Sequence, residues 1–308
     1  MLKVKLIDSE EKNIFSLSPL SVTIQKSLDI PCDDAVVIIP YKKYKSGEKI
    51  LITDGSEVVF RGIIDEEQII LNNSGKFIKY VARSMMSLFI DNEVCPAEFS
   101  KPTETYLGYR FIERFGMDFS KSERVYNGNL ICQKGMSVYD VLAEYSKEIY
   151  GTYPRVDSTG FFDFKGGKKD EKIIFGNNGN GERYNSYIEY KRPCNRITRV
   201  YLKLSDKGYK SVIDNPEAKD TSIVRERYID GTMNSKTSGV LGDKIIANSN
   251  KNYLLVKLVC PRRITGCLGY RAFVDEESVR EYSFTVKEIK YTLNSKSEST
   301  ALLLERRM

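Results

Sequence analysis

The chain has 308 residues and is 41% hydrophobic, which suits one large or two medium domains and excludes a disordered chain. Its net charge of +6 comes from 48 basic and 42 acidic residues spread along the chain, unlike the concentrated basic stripe of most nucleic-acid-binding proteins. Histidine is absent, which excludes Ser–His–Asp catalysis and histidine-ligated metals, and no apolar run approaches the roughly 18 residues of a transmembrane helix.

Neither the N-terminal sequence nor the cysteine pattern indicates secretion. The N-terminal sequence MLKVKLIDSEEK lacks the apolar segment and cleavage site of a signal peptide, so we expect synthesis in the cytoplasm. The cysteines are scattered without a C-x-x-C pair, and we expect them to be reduced and half-buried. They are Cys32, Cys95, Cys132, Cys194, Cys260 and Cys267.

The first ninety residues read as short strands separated by turns. Apolar and polar residues alternate with period 2, and Asp54-Gly55 and Asn72–Gly75 are typical hairpin turns. The predicted strands are Leu2–Leu6, Ser21–Gln25, Ala35–Pro40, Lys49–Thr53, Glu57–Ile64, Gln68–Leu71 and Phe77–Ala82. The continuously apolar strand at Ala35–Pro40 predicts cover on both faces. Residues 1–98 are therefore predicted to form a small antiparallel barrel or sandwich.

Residues 99–182 read as a helical insert with a hairpin and a linker. Aromatic residues at helical spacing predict a helix over Thr103–Arg114, and a capping-box-like start predicts a second over Ser137–Tyr150. The hairpin joins Thr152–Val156 to Phe161–Phe164, and the linker lies at Asn177–Gly181. Such short amphipathic helices must dock on a sheet or on another chain.

Strand patterns resume in residues 183–308, which we predict to be a second β domain. The predicted strands are Ile188–Tyr190, Ile197–Leu204, Ser211–Ile213, Val224–Ile229, Tyr253–Val259, Gly269–Val274 and Ser283–Thr292. Asp214–Ser222 and Asp230–Asn252 are predicted to be long loops, which suggests contacts with partners. The predicted class is mainly β with a small α insert.

No motif predicts a catalytic, metal or cofactor site. Four acidic clusters could supply a carboxylate pair, but adjacent strand residues face opposite sides and Asp140 occupies a helix-capping position, so we interpret all four as structural. The clusters are Asp65-Glu66-Glu67, Asp91-Asn92-Glu93, Asp140 with Glu144, and Asp275-Glu276-Glu277. The glycine-rich segments 166–169 and 179–181 match no phosphate-binding loop, and the EF-hand pattern is missing.

Two groups of residues are candidates for interfaces. The aromatic side chains of the first predicted helix exceed what two turns can bury, so Tyr106, Tyr109, Phe111 and Phe115 are predicted to pack partly on a neighbour. A run of basic residues alternates along the second β region and suits the solvated face of a strand pair, with an acidic partner surface as the alternative. It comprises Lys191, Arg192, Arg196, Arg199, Lys203, Lys207 and Lys210.

Three segments carry a resemblance to one family. Residues 81–96, VARSMMSLFIDNEVCP, resemble the strand end that precedes the helical insert in the XkdQ-like hub proteins of phage-derived contractile tails. Residues 132–142, CQKGMSVYDVL, are similar to the start of the following helix in that family. The hairpin at Tyr153–Val156 and Gly160–Phe162 is similar to the next element. The resemblance spans nearly the whole chain in order and element type.

The resemblance implies a fold and a role. Hubs of this late-control and VgrG-like type are homotrimers in which each subunit carries two antiparallel tube-like β-barrel domains, so three subunits form a pseudo-sixfold ring. The ring joins the sixfold tail tube to the trimeric central spike of a phage, a prophage or an R-type bacteriocin. Tube protein, spike protein, other baseplate proteins and, as a further candidate, the tape measure are the implied partners. The resemblance implies no cofactor, no membrane and no sequence-specific nucleic acid.

Two other classes stay open at this point. A tail-associated cell-wall hydrolase would need a cleft with paired carboxylates whose pKa values differ. A carbohydrate- or nucleic-acid-binding β module, suggested by the 20 tyrosines and the net charge, would need aromatic rings stacked in a groove.

Overall fold

A computed structural model describes residues 2–8, 13–43, 47–166, 170–179, 181–203, 208–219, 221–230 and 235–308. The chain divides into two compact units. The first unit consists of Met1–Glu171, Cys260–Tyr270 and Lys287–Ala301, and the second of Lys172–Val259, Arg271–Val286 and Leu302–Met308. Lys287–Ala301 belongs to the first unit although it lies near the end of the chain, and the predicted domain ranges 1–98, 99–182 and 183–308 stay a prediction.

The fold is mainly β, as predicted. The strands are β1 (Leu2–Ile7), β2 (Asn13–Leu17), β3 (Ser21–Ser27), β4 (Asp34–Pro40), β5 (Lys49–Asp54), β6 (Glu57–Asn72), β7 (Gly75–Ser84), β8 (Ala97–Ser100), β9 (Asn129–Cys132), β10 (Arg155–Val156), β11 (Phe162–Asp163), β12 (Lys172–Phe175), β13 (Ser186–Lys191), β14 (Arg199–Lys203), β15 (Ser211–Asp214), β16 (Glu226–Asp230), β17 (Leu254–Cys260), β18 (Arg271–Val274), β19 (Phe284–Leu293) and β20 (Glu298–Arg306). The α-helices are α1 (Ser87–Ile90), α2 (Glu104–Phe111), α3 (Val138–Tyr150) and α4 (Ser235–Lys251).

The first unit is built on an antiparallel sheet in the order β19-β3-β4-β7-β6-β5-β1-β2. Period-2 alternation places one face of each strand in a shared apolar core. In β4, Ala35, Val37 and Ile39 are fully buried, whereas Val36 and Ile38 are half-buried. One face of this strand is therefore fully covered, and the second face is partly covered.

The strand β6 corrects another expectation. The sequence pattern predicts separate strands at Glu57–Ile64 and Gln68–Leu71, but the chain continues through both as one strand of 16 residues. The pairing register with β7 shifts between Ile64 and Glu66. Such a β-bulge absorbs one extra residue and bends the strand, which keeps the ladder intact through the charged segment.

Residues 85–166, hereafter the insert, include the helices and the hairpin of the predicted insert and pack around an apolar core of their own within the first unit. Helix α2 begins at the N-cap Thr103, whose side chain accepts a hydrogen bond from the Tyr106 amide. Helix α3 begins with a complete capping box between Ser137 and Asp140 and ends at Gly151, whose φ of 65° suits glycine. Both predicted helices are confirmed, the first ending three residues early and continuing as a 3-10 turn at Glu113–Phe115.

The second unit combines antiparallel and parallel pairs. β13 pairs antiparallel with β17, and β14 pairs antiparallel with β15. β12 pairs parallel with β18, and β14 pairs parallel with β16. The predicted strands were antiparallel throughout, and these two parallel pairs were not predicted from the sequence. Helix α4 packs on the three-stranded sheet β15-β14-β16, where Ile246 joins Val200 and Leu202 in a small core.

Helix α4 shows that the predicted loop over Asp230–Asn252 is wrong for its described part. The segment carries few apolar residues, so its helical period is weak in the sequence. Packing on the sheet stabilises helix α4, and this contribution cannot be predicted from the local sequence pattern. Within the described residues, no helix has the length and apolar character that crossing a membrane requires.

Candidate interaction surfaces

The four aromatic residues of the insert divide into two pairs. Phe111 is 6% exposed and lies in the core of the insert. Phe115 is half-buried and meets Phe89 edge-on, with the two ring centroids 5.1 Å apart. Tyr106 and Tyr109 remain 47% and 48% exposed. The structure thus assigns Phe111 and Phe115 to internal packing and leaves the two tyrosines on the surface.

Both exposed tyrosines are held by neighbours. The Tyr106 ring meets the Phe99 ring edge-on, with the two centroids 5.7 Å apart. The Tyr109 ring meets the Phe119 ring in the same way, with the centroids 5.4 Å apart. Lys121 donates a hydrogen bond of 3.0 Å to the Tyr109 hydroxyl. Rigid, half-exposed tyrosines offer contact area with little loss of conformational entropy, which suits a binding surface.

The predicted basic run does not form an uncompensated patch. Lys191 pairs with Glu189 at 2.9 Å, Arg199 with Asp214 at 2.7 Å, and Lys203 with Asp230 at 3.0 Å. The guanidinium of Arg192 lies 5.6 Å from the Tyr190 ring centroid. Because Lys191, Arg199 and Lys203 each pair with a nearby carboxylate, the arrangement favours the interpretation as the solvated face of strands. Lys207 lies outside the described residues.

Arg196 differs from the rest of the run. Its side chain is only 20% exposed, and its guanidinium lies 3.6 Å from the centroid of the Tyr253 ring. It lines a cavity together with Lys191 and Arg306, a residue outside the predicted run.

A tyrosine face on the three-stranded sheet was not predicted from the sequence. Tyr201 and Tyr228, opposite each other on β14 and β16, stack at 4.9 Å with an interplanar angle of 9°. Tyr209 meets Tyr228 edge-on at 5.3 Å. The sequence did contain a signal for this pairing. Basic residues flank a tyrosine in Arg199-Tyr201-Lys203, and acidic residues flank one in Glu226-Tyr228-Asp230 with the same spacing, which predicts that the two segments are neighbouring strands.

The acidic clusters are engaged in structural contacts. Arg83 binds Asp65 at 2.7 Å and Asp91 at 2.6 Å, which lowers the pKa of Asp91. Asp140 accepts from the Ser137 amide at 2.8 Å. Further contacts join Glu144 to Tyr126, Asp275 to Arg280 and Glu276 to Tyr184. In the described part of the chain, no three Asp, Glu or Cys side chains are grouped as metal ligands.

The cysteines and the glycine-rich segments add no further site. Cys132, Cys260 and Cys267 are buried, Cys32 is half-buried, and Cys95 and Cys194 are exposed, and none of the six forms a disulfide with another described residue. Burial raises the pKa of Cys260 to about 11, so this thiol stays protonated at neutral pH. Residues 167–169 and 180 of the glycine-rich segments lie outside the described residues.

The chain shares its fold with tail proteins of phage origin. No protein-family model matches the sequence, and no curated protein matches it by sequence. The 43 kDa tail protein of prophage MuSo2 from Shewanella oneidensis superposes with a TM-score of 0.77 at 14% identity, over 99% of this chain and 98% of that one. A tail protein from Neisseria meningitidis MC58 gives 0.74 at 14% identity, over 99% and 96%.

A secretion-system protein has the same fold. The Escherichia coli c3393 protein, a type VI secretion component described as structurally similar to the T4 tail proteins gp27 and gp5, superposes with a TM-score of 0.56 at 9% identity, over 100% of this chain and 77% of that one. The predicted hub-like fold is confirmed by these likenesses.

Proposed function

We propose that this protein is the structural hub of a contractile-tail baseplate, a trimeric ring that adapts the sixfold tail tube to the trimeric central spike. The observation that carries the proposal is the extent of the likeness, which covers 99% of this chain and 96–98% of two phage tail proteins. Such a likeness over nearly the full length of both chains supports a shared structural role.

The two β-rich units of the chain support the adaptor mechanism. If each unit occupies one position in a ring, three chains supply six β-rich positions, which match a sixfold tube. The units differ in sequence and in strand connection, so the ring has only threefold true symmetry, which matches a trimeric spike. Closing the ring would also cover strand edges that otherwise promote open-ended association.

The partners in this proposal are the tail tube, the central spike and neighbouring baseplate proteins. The protein is made in the bacterial cytoplasm and assembled there into the tail of a phage, a prophage or an R-type bacteriocin. The exposed Tyr106 and Tyr109, and the tyrosine face of the three-stranded sheet, are surfaces suited to these contacts.

The role is structural rather than catalytic. The clustered carboxylates that a cell-wall hydrolase would need serve instead as partners of arginine, tyrosine and a helix N-terminus. Incubating the purified protein with peptidoglycan should release no soluble fragments. Release that disappears on replacing a single Asp or Glu would contradict the structural role.

A cryo-electron-microscopy map of the assembled particle tests the proposed ring. We expect three copies between tube and spike, with the two units of each copy at alternating positions around the axis. Six copies in the ring, or two units in non-equivalent places, would refute the adaptor mechanism.

A further inference from the structure

A cavity of about 540 Å³ lies in the second unit and contains two arginines stacked on two tyrosines. Arg196 lies on Tyr253 at 3.6 Å, and Arg306 lies over Tyr282 at 4.6 Å. Aromatic rings fix guanidinium groups in one orientation and shield them from water, which strengthens any ion pair they form.

The charges in this cavity are unevenly compensated. Arg306 binds Glu217 through two hydrogen bonds of 2.5 and 3.2 Å, and Lys191 binds Glu189 at 2.9 Å. The nearest carboxylate oxygen to Arg196 is that same Glu217, at 4.0 Å, beyond hydrogen-bond reach. No described residue accepts a hydrogen bond from the Arg196 guanidinium, and its Nε is buried without a partner.

An adjoining cavity of about 310 Å³ shares Arg196, Glu217 and Tyr253 with the first. It adds Arg225, which is half-buried and whose side chain makes no hydrogen bond to the described residues. Pro193 and Ile223, the latter 52% exposed, form the apolar part of its lining. The two cavities together therefore present two guanidinium groups without a hydrogen-bond acceptor among the described residues, beside apolar surface.

We propose that these joined cavities bind an acidic segment of a partner protein, with one carboxylate on Arg196 and a second on Arg225. The guanidinium fork matches a carboxylate through paired hydrogen bonds, and a half-buried guanidinium without an acceptor leaves donors unsatisfied. An apolar side chain of the same segment would cover Pro193 and Ile223. Glu189 and Glu217 repel a compact dianion such as phosphate, which favours carboxylates spaced along a chain.

This inference deepens the proposed function by naming the chemistry of a partner contact, and it rests on that function only for the identity of the partner. The probe is a fluorescein-labelled peptide of alternating glutamate and leucine, measured by fluorescence anisotropy on the full-length protein. Its matched control peptide carries glutamine in place of glutamate. The wild-type protein should bind the acidic peptide and not the glutamine peptide.

The variants separate charge, geometry and folding. Arg196→Gln and Arg225→Gln should each weaken binding about tenfold, the effect of losing one charge-assisted pair, and Arg196→Lys should have an intermediate effect. Arg227→Gln is the control, since Arg227 is exposed and donates to the Glu226 carbonyl. Unchanged circular dichroism and thermal unfolding should show that the Arg196 variants fold.

The outcomes distinguish this site from the hub proposal. Equal binding of both peptides, wild-type affinity in Arg196→Gln, or displacement of the peptide by an equal concentration of inorganic phosphate would refute the site. Acidic-peptide binding by a protein that proves monomeric would refute the ring and leave the site intact. Loss of peptide binding in Arg196→Gln with an unchanged oligomeric mass would support the site.

Discussion

At the scale of single residues, Arg155 ties the helical insert to the main sheet of the first unit. It donates to the carbonyls of Ser27 and Ile30 at 2.7 and 3.1 Å and to the Asp33 carboxylate at 2.6 Å. The two charged side chains are only 12% and 10% exposed. Burial raises the pKa of Asp33, and the charges of Arg155 and Lys26 oppose that rise.

Arg155→Met should lower the free energy of unfolding by about 3–5 kcal/mol at neutral pH, because it leaves the Asp33 charge buried without its partner. The folded-state pKa of Asp33 would rise further above its ordinary 3.8. A carboxyl group whose pKa is raised by folding stabilises the folded state fully at pH values below its unfolded-state pKa, and this stabilisation is lost as the pH rises through the folded-state pKa. The loss of unfolding free energy in the variant should therefore shrink as the pH falls toward about 4. Urea titrations at several pH values measure it.

The control for this prediction removes both partners. Arg155→Met combined with Asp33→Asn should recover part of the loss at neutral pH, because the carboxylate that loses its arginine is then replaced by a neutral amide. Arg61→Met, which removes only a 3.3 Å hydrogen bond to the Thr159 carbonyl, should have a much smaller effect. A deficit that does not change with pH would contradict the role assigned to Asp33.

Tyr109 provides a residue-scale test of the interface. Tyr109→Asp should weaken assembly while lowering the thermal unfolding temperature only slightly, since the side chain is 48% exposed and Lys121 can pair with the new carboxylate. Trimer formation of the purified variant and its incorporation into tails measure assembly. Tyr153→Asp, at a tyrosine that is 52% exposed outside helix α2, is the matched control. Normal assembly of the Tyr109 variant would contradict an interface at α2.

At the scale of secondary-structure elements, helix α2 packs unusually closely at Gly108. A Cβ atom built there would lie 2.0 Å from the Phe119 ring, closer than real contacts allow. The helix therefore lies against Phe119 along a side that carries no side chain. The spacing of apolar residues in the sequence does not predict this contact, because the sequence shows Gly108 only as a residue with low helix propensity.

Gly108→Ala should destabilise the protein by about 1–3 kcal/mol through overpacking, although alanine is favoured over glycine in a helix by about 1 kcal/mol. Thermal unfolding followed by calorimetry measures the change. Gly266→Ala is the control, because nothing lies within 4 Å of a Cβ atom at that position. A stabilised Gly108→Ala protein would show that α2 can move away from Phe119 at little cost.

At the scale of the whole molecule, the hub proposal requires extensive contacts between copies. Light scattering of the purified protein should give three times the chain mass, independent of concentration. Each subunit interface should bury at least about 1,000 Å² in total, because smaller contacts are transient and could not withstand tail contraction. A monomer that stays monomeric in the presence of tube and spike proteins would contradict the ring.

The sequence by itself determined the elements whose signals are local. Period-2 alternation predicted most strands, the aromatic spacing after Thr103 predicted the first helix of the insert, and the capping box at Ser137 predicted the second, because these patterns depend on neighbouring residues only. These patterns also predicted the mainly β class, and the resemblance of residues 81–96 to one family added the predicted hub-like fold. The absence of histidine restricted the chemistry open to the chain, because a missing residue type is missing in every fold.

Only the tertiary structure decided the features that depend on contacts distant in sequence. Helix α4 forms where the pattern predicted a loop, because its stability comes from the sheet beneath it. The compensation of Arg199 by Asp214 depends on which strands become neighbours. Arg196, whose Nε is buried without a hydrogen-bond acceptor, lines one cavity with Arg306, which lies 110 positions away in the sequence. A sequence pattern records the charge of each residue, whereas the fold decides whether that charge has a partner.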